Sequence, residues 1–515
     1  MDETRKSRRL IAPILGLVAA GAPVAFCAPL ITPGYDASFT LAWGRDLVRG
    51  LPLDFAHPSS PTPHPLAVLA GAGAGFAPVH GAIIAAGVLS VAAWLASLIL
   101  LCFVTFELTA SRIAVGTAII SAAVSAPIGL LVLGASSDVP YCALGLGAVL
   151  LTLRSRHSVA VAVFMAAALL RPEAVLLACV PLTLSFMGRR DFDQRSAAHR
   201  FTWVFTAGVF AACLILAIAG WLAMGAAGGD PLIGLHSANT NAEINNNLRG
   251  PIVALTQALP GLAGPTGWLT LAAAAIALIS AAVVRRPLTR AARMGAARPV
   301  RTNKRQPQTA AALALRDRMR AATITGSFIG VALIAFLAQG LIGTPLVARY
   351  LLLPALLCIA LAALCIPLAV RLVRPPQASL TVAVVVGIVL VVGAVGANIS
   401  GWQDVLHARQ VRAEAFTDAV QLLDTDLARH CTAPVVVRSP ALVAVTALTL
   451  DRPLRDITVA DQAGAGVLLQ PLTREAAELA GYGPMTSLTQ QVIFPADAPP
   501  RQSNHNWALY SSCQP

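Results

Sequence analysis

Charge is scarce in this sequence: 12% of its 515 residues are charged, about half the share found in soluble domains. Aromatic residues are scarcer still, at 5%, while 57% of the chain is hydrophobic. These shortages exclude an ordinary water-soluble globule. Acids are also short relative to bases, 24 against 37, for a net charge of +13. That surplus invites a nucleic-acid reading, which fails once the charges are placed. Most of the Lys and Arg fall between apolar runs on one side, the positive-inside bias of a membrane protein. The 402–515 tail has no Gly-rich phosphate loop, no paired-cysteine motif and no nucleophile elbow. Of nine cysteines, seven lie in predicted membrane segments, where Cys packs as a small apolar residue. Ala, Leu, Val and Gly dominate, and small residues let membrane helices approach closely.

What is present is a series of apolar runs near the length that crosses a bilayer, roughly 20 residues. Their order predicts a polytopic α-helical membrane protein with about eleven transmembrane helices. The N-terminus is cytoplasmic, after the basic start Arg5, Lys6, Arg8 and Arg9. The predicted spans are 10–31, 81–106, 113–133, 139–153, a hairpin over 158–187 broken at Arg171-Pro172, 201–224, 265–284, 323–342, 350–370 and 379–399. The segment 285–320 carries eleven basic residues and one acid, Asp317, which marks the 285–322 loop as cytoplasmic. Two domains follow: a transmembrane domain over 1–401 and a small extracytoplasmic α/β domain over 402–515. A helix over 405–429 opens the second domain, and strand-like runs follow at 434–437, 457–459, 466–469 and 507–510. Cys431 and Cys513 are its only thiols, and in an oxidising compartment they are expected to pair.

The first outer loop, 32–79, holds an amphipathic stretch over 36–49. Phe39, Ala42, Trp43 and Leu47 fall on one face, and Arg45, Asp46 and Arg49 fall away from it. That pattern predicts a helix lying along the membrane surface. A second surface helix is expected over 66–76. The few charges of the outer loops sit at loop–helix junctions: Asp36, Asp138, Arg171 with Glu173, Arg249 and Arg349. Each has a plain structural reading. Asp36 and Asp138 stand where an N-cap would stand. Arg171 and Glu173 would satisfy one another, Arg349 and Tyr350 would be interfacial anchors, and His57 and His64 would be loop histidines.

Taken together, these residues resemble the GT-C superfamily of integral membrane glycosyltransferases. The nearest branch is that of protein O-mannosyltransferases and lipid A aminoarabinose transferases. The matching segments are Gly34-Tyr-Asp36, Leu47-Val-Arg-Gly50, Pro63-His-Pro-Leu66, Ser137-Asp138 and Ala348-Arg-Tyr-Leu351. The resemblance implies a sugar donor on a polyprenyl phosphate and an extracytoplasmic glycan, lipid or protein acceptor. It implies a place in the cell membrane among its lipids, with no nucleic acid partner. By position, Asp36 is the acid that activates the acceptor, and Asp138 is the second catalytic acid. Many members carry two adjacent acids at the first position, whereas Ala37 follows Asp36 here. A divalent metal is therefore left open.

The chemistry suits the residues independently. Displacing a phosphate from an anomeric carbon needs a base for the acceptor's proton and positive charge on the leaving phosphate, which Arg supplies bidentately. Arg349 and Arg171 are the candidates for that charge, with Tyr350, Glu173 and His64 as further substrate-binding residues. The rival readings are a lipid or solute transporter or flippase, and a non-catalytic envelope assembly protein. Transporters favour internal repeats and ionisable or broken elements near the midplane. No convincing repeat is present, and most spans lack charges in their middles.

Overall fold

The computed structural model describes residues 30–55, 57, 60–187, 197–230, 232, 251–263, 267–296, 306–341, 346–372, 376–431, 435–437, 440–459, 467–473, 476 and 500–511. The first predicted span, Arg249 and Cys513 lie outside these residues.

The chain is built from helices. After Gly34, helices α1 (Tyr35–Val48) and α2 (Pro65–Ala74) flank an irregular, proline-rich segment. A bundle follows: α3 (Val79–Thr109), α4 (Arg112–Ala123), α5 (Ala126–Leu133), α6 (Asp138–Leu153), α7 (His157–Ala168), α8 (Ala174–Met187) and α9 (Ala197–Ala227). It continues with α10 (Pro251–Leu262), α11 (Gly267–Ala296), α12 (Gln306–Leu341), a 3-10 turn over Ala348–Leu351, α13 (Leu352–Ala362), α14 (Cys365–Leu372) and α15 (Pro376–Leu423). The short α16 (Asp426–Arg429) leads to β1 (Val435–Val437), α17 (Pro440–Leu450), β2 (Ile457–Val459), β3 (Val467–Pro471), β4 (Gln502–Ser503) and β5 (Trp507–Ser511). The sheet order is β2-β1-β3-β5-β4. β1 runs parallel to β2 and β3, whereas β5 runs antiparallel to β3 and β4.

Among the described residues, four helical segments are long and apolar enough to cross a membrane: Val79–Thr109, Thr202–Ala227, Leu313–Leu341 and Ala348–Leu368. Two bent pairs raise the number to six. The predicted span 113–133 is one of these pairs, α4 and α5, bent by 60°. Ser125-Ala126-Pro127 interrupts it, because a proline is tolerated in a helix's first turn but not in its interior. The segment 251–262, read from sequence as loop, forms α10 and meets α11 at 98°. α6, α7 and α8 are shorter, at 16, 12 and 14 residues, or about 24, 18 and 21 Å at 1.5 Å per residue. α7 and α8 break at 169–173, so Arg171 stands at the tip of their hairpin.

Two expectations are corrected. The helix over 36–49 does not lie with a polar face toward solvent: Phe39, Leu41, Trp43, Arg45 and Asp46 are all buried. Its apolar face packs with Phe55 and Val68, and its polar face is covered by the C-terminal domain. The Arg45 guanidinium donates to Asp46 Oδ1 at 2.6 Å, to the Ala447 carbonyl at 2.6 Å and to the Arg452 carbonyl at 2.7 Å. Arg49 pairs with Asp451. Arg45 and Asp46 thus help seat the domain as a buried pair, since buried charges must be paired and hydrogen-bonded, while the Arg49–Asp451 pair stays exposed beside them. Secondly, the helix expected over 405–429 is no separate element. α15 runs unbroken for 48 residues through the 401/402 boundary, and Gly401 does not interrupt it. Cys431, beyond that helix, is disulfide-bonded.

Backbone approach fixes α1 against α2. A Cβ on Gly44 would lie 2.1 Å from the Gly71 carbonyl carbon, and one on Gly71 would lie 2.3 Å from the Thr40 carbonyl oxygen. Only glycine fits at either place, the small-residue logic of close helix pairs.

Candidate active site

Two acids far apart in sequence are drawn together by main chain. Thr32 N–H donates to the Leu133 carbonyl at 3.2 Å, and Gly34 N–H donates to the Gly134 carbonyl at 2.8 Å. The strand-like entry to α1 is thereby stitched to the turn before α6. Arg409 of α15 locks the stitch: it donates to Thr32 Oγ1 at 3.0 Å and to the Leu130 carbonyl at 2.7 Å. Trp402, two turns earlier, donates its indole N–H to the Val124 carbonyl at 2.7 Å. Asp36 then sits in the first turn of α1, and Asp138 opens α6.

Neither acid caps its helix. Gly34 is the N-cap of α1 and Ser137 that of α6, each without a side-chain capping bond. Both carboxylates point instead at arginines. Arg349 Nη2 lies 2.5 Å from Asp36 Oδ2, and Arg349 Nε lies 3.4 Å from Asp138 Oδ2. Arg171 Nη2 lies 2.5 Å from Asp138 Oδ1, so Asp138, not Glu173, is its ion-pair partner. The Ser136 hydroxyl donates to Asp138 Oδ2 at 2.8 Å. The Tyr350 ring covers the Arg171 guanidinium, 4.1 Å from its centroid, a cation–π contact. The 3-10 turn Ala348–Leu351 explains this pairing: it presents Arg349 to the acids and the next residue, Tyr350, to Arg171.

The site is graded in exposure. The Asp138 and Arg171 side chains are 1% and 4% exposed, whereas Asp36 and Arg349 are 16% and 26% exposed. One ion pair is therefore sealed in the protein and the other faces its mouth. Beside them lies a small pocket of about 10 Å³, the size of one water, lined by Tyr141, Glu173, Phe336, Gln339, Tyr350 and Pro354. Glu173 Oε1 is enclosed there without a hydrogen-bond partner, and Gln339 approaches Glu173 Oε2 at 3.5 Å. His64 is buried next to α2, its ring edge-on to Trp221 at 5.9 Å. Burial, reinforced by the positive charge of Arg171, pushes its pKa down to about 3. It is a neutral imidazole at any physiological pH.

Asp36, Asp138, Arg171, Arg349 and Tyr350 thus form one contiguous cluster. His64 and Glu173 lie at its edges. His57 stands apart, its Nε2 3.0 Å from the Ile457 carbonyl. Among the described residues no group of three His, Cys, Asp or Glu is spaced to hold a metal. A guanidinium already bridges Asp36 and Asp138, so this donor set does not fit a divalent ion. Sequence reasoning missed Ser136, Tyr141, Gln339 and Arg409. Gln339 left a signal, a lone amide near the end of an apolar helix; Arg409 left none, because it acts on main-chain carbonyls.

No family model matches the chain, and no curated protein matches it. Among solved structures, the crystal structure of the Archaeoglobus fulgidus oligosaccharyltransferase, tethered to an acceptor peptide containing the NVT sequon via a disulfide bond, aligns at 11% identity. The alignment has a TM-score of 0.47 and covers 91% of this chain and 71% of that one.

Proposed function

We propose that this protein is a multi-pass membrane glycosyltransferase. It moves a sugar from a polyprenyl-phosphate donor to an extracytoplasmic acceptor, with inversion, using Asp36 as general base. The observation that carries this reading is the arrangement of two acids and two arginines around one mouth, with Arg349 between Asp36 and Asp138.

The roles follow from exposure and charge. Asp36 is the accessible acid, so it takes the proton of an acceptor hydroxyl. The hydroxyl oxygen forms a bond to the anomeric carbon as the bond from that carbon to the phosphate oxygen breaks. The bonding pair leaves with the polyprenyl phosphate. Arg349 meets the charge that develops there, in a partly enclosed site where such contacts gain strength. Asp138 is too buried to reach an acceptor. It holds Arg171 and Arg349 in position, and Arg171 adds positive field behind them. Glu173, Gln339 and Tyr350 line the adjoining pocket, polar groups beside the site of a kind that sugar hydroxyls pair with.

The sidedness counted from Lys and Arg supports this reading. On that count the cluster and the 402–515 domain would face outward and the 285–322 loop inward. The test is transfer of labelled sugar from a polyprenyl-phosphate donor by membranes containing or lacking the protein. Mass spectrometry of the cell envelope identifies the acceptor. Identical envelopes and no consumption of any such donor would sink the proposal.

A further inference from the structure

The two arginines differ in how free they are to meet a ligand. Arg171 is sealed, paired at 2.5 Å with an equally sealed carboxylate and covered by a tyrosine ring. Arg349 is the exposed member, and its contacts are unequal: one at 2.5 Å to Asp36 and one at 3.4 Å to Asp138. Its Nε has no hydrogen-bond partner, so the 3.4 Å approach is electrostatic. The charges within the ion-paired set balance, two acids against two arginines, with no positive charge left over for an anion.

A guanidinium grips a phosphate through two parallel N–H bonds. It has two edges suited to this, Nε with Nη2 and Nη1 with Nη2. Nη2 belongs to both, with one N–H on each, and Nη2 is the atom nearest Asp36. A phosphate that takes the Nε–Nη2 edge displaces Asp36, and one that takes the Nη1–Nη2 edge shares Nη2 with it and weakens its hold.

We propose that Arg349 is a lock on Asp36 that the donor's phosphate opens. This rests on the glycosyltransferase reading and adds an order to it. Without donor, Arg349 holds the carboxylate that must accept the acceptor's proton. Donor binding draws Arg349 onto the phosphate and releases Asp36 beside the anomeric carbon. The acceptor is activated second, and only when a donor is in place. The same competition makes the base an antagonist of phosphate binding.

That consequence gives the test. Full-length protein in detergent is titrated with farnesyl phosphate, a polyprenyl phosphate without sugar, and binding is measured directly. Inorganic phosphate is titrated in parallel to separate headgroup from chain. Asp36→Asn should bind farnesyl phosphate about three- to tenfold more tightly than wild type, the range open to a partly exposed ion pair. Asp36→Ala serves as a second variant, with folding of each checked by size exclusion. In an Arg349→Ala background, the same Asp36 change should leave affinity unaltered, as a double-mutant cycle requires of a direct competitor. Unchanged or weaker binding by both Asp36 variants overturns the lock. Equal tightening with and without Arg349 also overturns it, because a general field would then be the cause. No binding by any protein removes both the lock and the donor reading. The expected binding pattern without sugar transfer refutes the enzyme and leaves the lock in place.

Discussion

Asp138→Ala strands a charge. Arg171 is 4% exposed, and its ion-pair partner is a carboxylate 1% exposed at 2.5 Å. With about 4 Å between charge centres and an effective dielectric of 20, the attraction is roughly 4 kcal/mol. Breaking a buried pair from one side costs about 3–5 kcal/mol, because the remaining charge stays desolvated. The truncation also frees the Ser136 hydroxyl and one contact of Arg349. Tyr350 stays on the guanidinium in both proteins, so that contact cancels from the difference. The expected destabilisation is about 3–5 kcal/mol. The assay is equilibrium unfolding in mixed micelles followed by tryptophan fluorescence. The informative partner is Asp138→Leu with Arg171→Met, which removes both charges and should recover most of the stability, since apolar replacement of a buried pair is often neutral. An Asp138→Ala protein as stable as wild type would show that water reaches Arg171. A double variant worse than the single one would show that the pair is more than a matter of charge.

Further outcomes follow from other parts of the fold. Gly44→Val should prevent α1 from seating on α2, since even a Cβ meets the Gly71 backbone at 2.1 Å. Protease sensitivity of α1 reads this out, and an unchanged digest would contradict the close crossing. His64 is buried neutral with its pKa lowered to about 3 from about 6.5 when unfolded. Its contribution to stability is therefore complete above the unfolded value and is lost as pH falls from 6.5 toward 3. Between pH 7 and pH 5 that loss is about 2 kcal/mol, and His64→Asn should remove this part of the pH dependence; an identical slope in the variant refutes the assignment. Cys431 is expected to pair with Cys513; mass mapping of unreduced protein should find the linked peptides, and labelling of both thiols without reductant would rule the pairing out.

Some of this was legible in the sequence because local chemistry decides it. The break at Arg171-Pro172 follows from proline. The strands at 435–437, 457–459, 467–471 and 507–511 follow from short β-branched or apolar runs between polar turns. The convergence of Asp36, Asp138 and Arg349 was suggested by junction charges and by the resemblance, not by spacing. The stitch that creates it is made of main-chain groups of Thr32, Gly34, Leu133 and Gly134, which no side-chain pattern encodes. The cover over the polar side of α1 was not legible for a related reason. Periodicity reported that Arg45, Asp46 and Arg49 share a face, but not that the distant carbonyls of Ala447 and Arg452 would cover it. Similarly, proline marks the 60° bend between α4 and α5, but not the Trp402 indole that donates to the Val124 carbonyl there from more than 270 residues away.

Whether Asp36 acts as a base is decided by Asp36→Asn. Asn keeps the size of the side chain and removes its basicity, and α1 loses no cap because Gly34 holds that position. The measurement is single-turnover sugar transfer from a polyprenyl-phosphate donor by purified, monodisperse protein. If Asp36 is the base, the rate falls about 10²–10⁴-fold with a thermal stability near that of wild type. Transfer at the wild-type rate by well-folded Asp36→Asn would contradict it.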